Sequence, residues 1–328
     1  MSTLATNAIT DASGGNTATI NGYTPTASNM AGRNRIINGN FDIWQRGTSF
    51  SSSSVNEYSA DRFRTEGYGL STTISRQAFT AGQTDVPHFP TYFCRVVTST
   101  IASGQFWAFQ QRIEMPQVLG YGQTGTFSFW VRATTGTLPA GAFSYGMGSS
   151  RTGSPALTTA WQKITGTFTA PTSGNYGTLY LVYLGADKAA ISVDIAQVQL
   201  EAGSVATPFE HRQYGQELAL CQRYCQKSYN LETVPGGVTN SGMLAVLANN
   251  STYGECLQAR FPVAMRALPT ITTYNPATGA SGSIRNITGS TNVTASLNNT
   301  SQNGLSNLNV ALTSGSVYIF HYLASAEL

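Results

Sequence analysis

A series of short strand-like segments, separated by turn residues, most constrains the fold of this chain. Ile191, Val193 and Ile195 alternate with polar or small residues, which is the period of two expected for a strand with one buried face. Similar segments, such as TFSFWVRA and GTLYLVYL, recur about every 10 to 15 residues, and no helical periodicity lies between them. This spacing is typical of an antiparallel β-sandwich or jelly roll. The sequence therefore predicts an all-β fold.

Changes in this pattern divide the chain into four predicted regions. Residues 1–32 contain one charged side chain, Asp11, and almost no large apolar residue, so we expect an extended arm that orders on a partner. Residues 33–208 are predicted to form the jelly roll, and residues 237–328 are predicted to form a second β-sandwich module. Residues 209–236 connect the two modules.

The connecting region is predicted to contain one α-helix followed by a linker. The run YGQELALCQRYCQKSY places Tyr214, Leu218, Cys221 and Cys225 on one apolar stripe at helical spacing. The four cysteines of the chain are too few for a disulfide framework. Two thiols one turn apart are more typical of buried core residues than of a metal site. We therefore expect the stripe, with its cysteines, to pack against a core.

Composition and charge exclude several classes of function. The chain has 328 residues with 18 Lys and Arg against 15 Asp and Glu, so its net charge of +3 provides no basic surface for nucleic acid. No apolar run reaches the roughly 18 residues of a membrane-spanning helix. The first residues have neither the basic nor the apolar region of a signal peptide. We expect no nucleic acid partner, no membrane insertion and synthesis in a reducing cytoplasm.

The motifs of common catalytic and cofactor sites are missing or lie in the wrong context. GYGQTG at residues 120–125 matches the glycine pattern of dinucleotide-binding sites, but a predicted strand follows it where the pyrophosphate needs a helix N-terminus. There is no G-x-S-x-G motif, and the three histidines have no Ser or Cys partner nearby in the sequence. The sequence predicts no enzyme, no cofactor and no metal site.

The stretch NGNFDIWQRG, at residues 38–47, is interpreted as a strand that follows an Asn-Gly turn. Phe41 and Ile43 would then face the core, and Asp42 and Trp44 would lie on the opposite face with Arg46.

The charges of this stretch are predicted to form ion pairs. Asp42 lies four residues from Arg46, and Asp61 directly precedes Arg62, so we expect pairs among these four side chains. Two alternatives stay open here, a catalytic pair of carboxylates and a Ca²⁺ site formed by Asp42, Asp194 and turn carbonyls. The predicted framework residues are Asp42, Trp44, Arg46, Asp61 and Arg62.

Four strings, taken together and in order, resemble a known group of proteins. They are INGNFDIWQRG (37–47), YSADRF (58–63), QLEAGSVATPFE (199–210) and ELALCQRYCQKSY (217–229). In this order they resemble a region of bacteriophage tail-fibre and other virion appendage proteins, which has a jelly roll like that of carbohydrate-binding modules. The resemblance covers roughly residues 35–229.

This resemblance implies a structural protein of the virion tail or an appendage, made in the cytoplasm of the host bacterium. Such proteins are commonly homotrimers, and the resemblance does not imply an enzyme. Their N-terminus usually attaches to other virion tail proteins, here through residues 1–32, and their variable C-terminal region faces the host.

The C-terminal module is therefore expected to contact a glycan of the host surface. Its composition, rich in Asn, Ser and Thr, provides donors and acceptors for sugar hydroxyls, and aromatic rings can pack on the apolar faces of sugars. Two alternatives stay open, an internal virion component (adaptor, nozzle or head decoration) without receptor binding, and a polysaccharide depolymerase. The predicted receptor-binding residues are Tyr253, Tyr274, Tyr318 and Tyr322.

Overall fold

The computed structural model describes most of the chain beyond its first 31 residues. The described ranges are 32–52, 56–68, 70–115, 118–248, 253–298, 300–309 and 312–328, with the backbone alone for 253–258, 296–298 and 306–309. Within them the chain is nearly all-β, with twenty antiparallel strands and one α-helix, as predicted. The predicted arm lies outside the described residues except for Gly32, and the boundaries between the four regions stay predictions.

Eleven strands form the first module as two antiparallel sheets. In chain order they are β1 (Ser49–Ser52), β2 (Phe63–Gly67), β3 (Thr72–Ala78), β4 (Tyr92–Thr98), β5 (Trp107–Glu114), β6 (Thr124–Ala133), β7 (Ser144–Met147), β8 (Ser150–Gly153), β9 (Gln162–Thr169), β10 (Tyr176–Leu184) and β11 (Ser192–Ala202). The six-stranded sheet has the order β1-β3-β4-β11-β6-β9, and the five-stranded sheet has the order β2-β5-β10-β7-β8.

The inner faces of the two sheets enclose one apolar core. Phe63 of β2 stacks on Phe109 of β5 with ring centroids 5.6 Å apart, and Ile195 of β11 is fully buried from the other sheet. The predicted alternation along β11 holds, but its outer face is not wet. Asp194 is 0% exposed because Arg95 and Arg132 pair with its two carboxylate oxygens at 2.7 and 2.9 Å. The inner face of this sheet thus lies in the core, and its outer face carries the buried, ion-paired Asp194.

The NGNFDIWQRG stretch is not a strand, which corrects the prediction for residues 38–47. Asn38 and Phe41 both adopt positive φ, at 62° and 56°, which breaks the two-residue alternation. The Asn38 side chain accepts from the Ile43 N–H at 2.9 Å and donates to the Ile43 carbonyl at 2.8 Å, closing a tight loop. As a result Phe41, Ile43 and Trp44 are all buried, although the alternation placed Trp44 on the other face.

The predicted helix exists but is shorter, and its buried face is different. α1 spans Tyr214–Gln222, and Cys225 belongs instead to a short strand, where it pairs with Ser325. Tyr214 is 54% exposed, whereas Cys221 is buried together with Glu217. Glu217 can be buried because Arg212 pairs with its carboxylate at 2.8 Å. The apolar stripe was therefore wrong at Tyr214 and Cys225, although both cysteines are buried free thiols, as expected.

The C-terminal module is built around one long strand. Its strands are β12 (Cys225–Lys227), β13 (Leu244–Ala248), β14 (Tyr253–Arg260), β15 (Thr270–Tyr274), β16 (Ser283–Asn286), β17 (Thr291–Thr294), β18 (Ser296–Asn298), β19 (Gly304–Asn309) and β20 (Val317–Ser325). The first half of β20 pairs with β13 and β16, and its second half pairs with β12 and β15. Two separate apolar clusters, around Phe320 and around Tyr322, fill the module. This is consistent with the predicted second β-sandwich.

Candidate functional site

The predicted receptor-binding tyrosines do not form an exposed surface, which corrects that prediction. Tyr318 is 1% exposed and Tyr322 is 6% exposed, because strands pair with β20 on both edges and each ring packs in an apolar cluster. Tyr274 is half-buried against Tyr229, with ring centroids 6.1 Å apart. The side chain of Tyr253 lies outside the described residues.

The predicted framework charges pair with a residue that the sequence did not suggest. Arg46 and Arg62 both contact the carboxylate of Glu327, Arg46 at 3.1 Å. Asp61 instead accepts two hydrogen bonds from Gln45, from its backbone N–H at 2.9 Å and from Nε2 at 2.6 Å. The expected pairs are therefore replaced: both arginines contact Glu327 of the C-terminal module, and Asp61 is held by Gln45 within the jelly roll.

Asp42 lines a cleft of about 290 Å³ between the jelly roll and the start of α1. Its carboxylate accepts a hydrogen bond from Asn40 Nδ2 at 3.0 Å, and burial raises its pKa. Trp44, Arg76 and Tyr214 also line this cleft. Asp42 is thus a partly buried acid at a cleft wall rather than a member of an ion pair.

The four strings that carry the resemblance meet at the junction between the modules. The Asn38 N–H donates to Glu217 of α1, and Gln45 Nε2 donates to the Cys225 carbonyl at 2.7 Å. Arg62 lies over the ring of Tyr224, with Cζ 3.5 Å from the ring centroid. The third string directly follows Val198, whose N–H donates to the Gly39 carbonyl of the first string at 2.8 Å. These strings therefore hold the modules together.

A serine and a histidine that are distant in sequence also come together. Ser228 Oγ lies 2.9 Å from His321 Nδ1, and His321 Nε2 lies 2.9 Å from the Thr239 carbonyl. Because a carbonyl only accepts, Nε2 carries the proton and Nδ1 accepts from Ser228. His321 is 0% exposed and stacks on Tyr229 at 3.8 Å. Both ring nitrogens are occupied away from solvent, so this pair stabilises the fold and is not placed to attack a substrate.

Four aromatic rings in contact mark the best candidate surface. Tyr68, Phe106, Tyr183 and Tyr180, here called the aromatic strip, follow one another with centroids 5.8, 6.1 and 5.7 Å apart. Tyr68 is 52% exposed, and the other three are half-buried. The strip runs over the outer face of the five-stranded sheet, near the start of β5.

A bulge in β10 brings two rings of the strip to the same face. Residues three apart in a regular strand point to opposite faces. The pairing of β10 with β5 shifts register between Tyr180 and Val182, so that Tyr180 lies opposite Gln110 and Tyr183 lies opposite Ala108. An extra residue of this kind reverses the alternation locally. Sequence periodicity alone could not show this, because the bulge is defined only by the partner strand.

A guanidinium covers two rings of the strip. Arg151 Cζ lies 3.9 Å from the centroid of Tyr183 and 5.0 Å from that of Tyr180. Its cross-strand partner, Gly146, has φ of 141°, and a Cβ there would lie 2.3 Å from the Ser150 carbonyl oxygen. Only glycine fits at this position. Arg151 therefore crosses a strand without a competing side chain and presents its donors beside the rings.

Hydrogen-bonding groups border the rings on β2 and β5. The Glu66 carboxylate accepts from Gln110 Nε2 at 2.6 Å and contacts Arg112 Nη2 at 3.4 Å. Gln110 Oε1 is buried without a hydrogen-bond partner. Burial raises the pKa of Tyr180, so its phenol stays protonated and can donate at neutral pH. The strip thus combines apolar ring faces with donors and acceptors, which is the chemistry that recognises a sugar.

The described residues contain neither a candidate metal site nor a candidate membrane-spanning helix. Among the side chains that the structure describes, no three His, Cys, Asp or Glu residues gather into a group that could hold a metal ion. In the same part of the chain, no helix has the length and apolar character needed to cross a membrane.

No protein-family model matches the chain, and no curated protein matches it. Among solved structures, it is similar to the xylan-binding domain CBM22-1 of Xyn10C from Paenibacillus barcinonensis, at 15% identity and a TM-score of 0.31, over 49% of this chain and 99% of that one. It is similar to the Stig cyclase Fisc from Fischerella sp. TAU, at 11% identity and a TM-score of 0.36, over 53% of this chain and 98% of that one.

The chain is also similar to the enzymatically active domain of tailspike protein 4 from bacteriophage CBA120, at 12% identity and a TM-score of 0.29. This match covers 52% of this chain and 21% of the tailspike chain. The solved structures that the chain resembles thus include a carbohydrate-binding module.

Proposed function

We propose that this chain is a glycan-binding protein that contacts its ligand through the aromatic strip. The observation that carries the proposal is the contact series of four rings, Tyr68, Phe106, Tyr183 and Tyr180, on the outside of a sheet. Aromatic rings pack on the apolar faces of sugars, and the neighbouring carboxylate, amide and guanidinium groups can hydrogen-bond to hydroxyls. A host-surface polysaccharide is the proposed ligand class.

We further propose that the protein is a non-enzymatic subunit of a bacteriophage tail fibre or appendage. The four strings that resemble such proteins support this assignment. It is proposed to act as a homotrimer in the virion, with residues 1–32 attaching it to other tail proteins. Sedimentation of the purified chain as a stable monomer at micromolar concentration would contradict the trimer.

The binding surface is proposed to lie on the jelly roll rather than on the C-terminal module. The burial of Tyr318 and Tyr322 removes two of the residues expected to bind. Arg223 and Arg266 of the C-terminal region contact Glu114, at the end of β5, at 3.0 and 3.6 Å. The strip lies at the opposite end of β5, beside Ala108. The strip therefore lies away from the ion pairs of Glu114.

Binding without hydrolysis is the proposed mode of action. Cleavage of a glycosidic bond usually requires two carboxylates on either side of the bond. Glu66 is the carboxylate described beside the strip, and it is already engaged by Gln110 and Arg112. The appearance of new reducing ends after incubation with the bound polysaccharide would contradict this mode and support a depolymerase.

The test of the strip uses point variants, since removing residues 237–328 would also remove the contacts of Arg46 and Arg62. We expect Tyr183→Ala to weaken binding of host polysaccharide about 10- to 100-fold in calorimetric titrations, because a ring that packs on the ligand is lost. Tyr121→Ala is the matched control, since Tyr121 is 42% exposed and lies outside the strip. Equal affinity of both variants, with unchanged melting temperatures, would contradict the proposal.

An internal virion component is the second candidate, and the position of the four strings favours it. They lie at the junction of the modules rather than in the strip, which is expected if these strings serve the structure of the virion component. Particles that carry Tyr183→Ala separate the two functions. Assembled particles that fail to adsorb support binding by the strip, whereas normal adsorption supports the internal component.

A further inference from the structure

A second cleft lies on the other sheet of the jelly roll. It has a volume of about 290 Å³ and is here called the Trp130 cleft. Trp130 of β6 and Lys163 of β9 are cross-strand neighbours on the outer face of the six-stranded sheet, and both line it. Its volume is at the lower end for a small-molecule site, which suits one ring-sized group rather than a long chain. The other lining residues used below are Pro87, Gln197, Pro208 and Phe209.

A residue that lines this cleft has a buried acceptor without a partner. Gln197 is 2% exposed, and its Nε2 donates to the Pro87 carbonyl at 2.6 Å. Since a carbonyl only accepts, the amide nitrogen must face Pro87, which fixes Oε1 on the other side. Gln197 Oε1 is buried and has no hydrogen-bond partner. A ligand that donates an N–H or O–H would satisfy it.

The backbone around the cleft is held in sparsely populated conformations. Gln197 has φ of 48°, His88 has φ of 64° and Phe89 has φ of 48°, and none of them is glycine. Gln197 lies where the pairing of β11 with β6 shifts register. Such conformations cost free energy and concentrate at ligand sites. His88 and Gln197 both line the cleft, so two of these conformations shape its wall.

Lys163 supplies donors to the lining of the same cleft. Its Nζ donates to the Thr207 carbonyl at 3.4 Å, which leaves further N–H groups for a ligand. Burial lowers the pKa of Lys163, and the nearby Glu201 opposes that shift. The amine carries N–H donors in either protonation state. Trp130, Phe209 and the two prolines form the apolar walls. The cleft therefore matches a group with one donor, one acceptor and an apolar end.

We propose that the Trp130 cleft binds the acetamido group of an N-acetylated amino sugar. The amide N–H would donate to Gln197 Oε1, its carbonyl would accept from Lys163 Nζ, and its methyl group would pack between Trp130 and Phe209. An unmodified hexose offers no methyl group for the apolar walls. The cleft lies on the sheet opposite the aromatic strip, and its assignment does not depend on the strip.

Saturation-transfer NMR on the full chain tests this without any variant. N-acetylglucosamine and N-acetylgalactosamine are the probes, and glucose is the matched sugar without an acetamido group. We expect the strongest saturation on the acetyl methyl protons and at least tenfold weaker binding of glucose. Equal signals for glucose, or no transfer to either N-acetylated probe at millimolar concentration, would overturn the proposal.

Lys163→Met then locates the site. We expect it to weaken binding of the N-acetylated probe about tenfold, since a charge-assisted hydrogen bond is lost. Lys188→Met is the control, because Lys188 also donates to a backbone carbonyl, that of Gly141 at 3.0 Å, but does not line the cleft. Binding unchanged in Lys163→Met would place the acetamido group elsewhere. We expect Tyr183→Ala to bind the N-acetylated probe as the unaltered chain does. The proposal for the strip and the proposal for the cleft can therefore fail independently.

Discussion

The carboxylate of Glu327 contacts the guanidinium of Arg62 across 265 residues of sequence. The Arg62 side chain is 1% exposed and that of Glu327 is 6% exposed, so the pair is nearly removed from water. Arg46 contacts the other carboxylate oxygen at 3.1 Å. A buried pair of this kind adds little over an apolar contact, but its loss on one side leaves an unpaired buried charge. Glu327 therefore ties two arginines of the jelly roll to the C-terminal module.

Glu327→Gln is expected to destabilise the protein strongly. It keeps the shape of the side chain but leaves Arg46 and Arg62 without their anion, which should lower the free energy of unfolding by about 3 kcal/mol. Denaturant unfolding followed by tryptophan fluorescence measures the change. Glu66→Gln is the control, because the Glu66–Arg112 pair is partly exposed and 3.4 Å long, and such pairs contribute about 1 kcal/mol or less. Similar losses in both variants would contradict the role given to Glu327.

Tyr318→Phe is expected to reduce stability and leave polysaccharide binding unchanged. The Tyr318 hydroxyl accepts hydrogen bonds from the Thr313 N–H at 2.8 Å and from Asn286 Nδ2 at 3.3 Å. Its removal leaves buried donors unpaired, at a cost of about 1–3 kcal/mol. Tyr121→Phe removes an exposed hydroxyl and should change stability by about 0.5 kcal/mol or less. Lost binding by folded Tyr318→Phe would restore the C-terminal module as the contact surface.

His321 is expected to make stability fall at mildly acidic pH. Burial lowers its pKa in the folded protein, whereas the unfolded chain keeps the ordinary value of about 6.5. The unfolded state therefore binds the proton more readily, and stability is lost as the pH falls below about 6.5. His321→Gln removes this titration but leaves His88 and His211 in place. We expect its unfolding free energy to be flatter between pH 7 and 5, and an unchanged slope would contradict the assignment.

Asp42→Asn is expected to keep or raise the melting temperature at pH 7. Burial raises the pKa of Asp42 in the folded state, so the favourable contribution of its protonated form is present at low pH and is lost as the pH rises through that value. Asparagine removes the penalised charge. The difference between the variant and the natural protein should shrink below about pH 4, where the carboxyl is protonated in both states. A large loss of stability at pH 7 would show that Asp42 is a framework charge after all.

Several features could be predicted because they depend on neighbouring residues. The two-residue alternation and the turn residues between segments indicated an antiparallel sandwich, since side-chain direction along a strand is a local property. Cys221 and Cys225 were correctly expected to be buried. The helix was only partly predictable, because Cys225 pairs with Ser325, and this distant strand ends the helical run early.

The sequence by itself determined the fold class, predicted a connecting helix and marked charged residues of NGNFDIWQRG and YSADRF as framework. It did not determine the partners of their charges, because Glu327 is brought to Arg46 and Arg62 only when β20 docks. Only the tertiary structure buried Tyr318 and Tyr322 and assembled Tyr68, Phe106, Tyr180 and Tyr183 into one surface. The physical reason is that exposure and ring contact depend on strand pairing and on one bulge in β10, which join residues far apart in the chain.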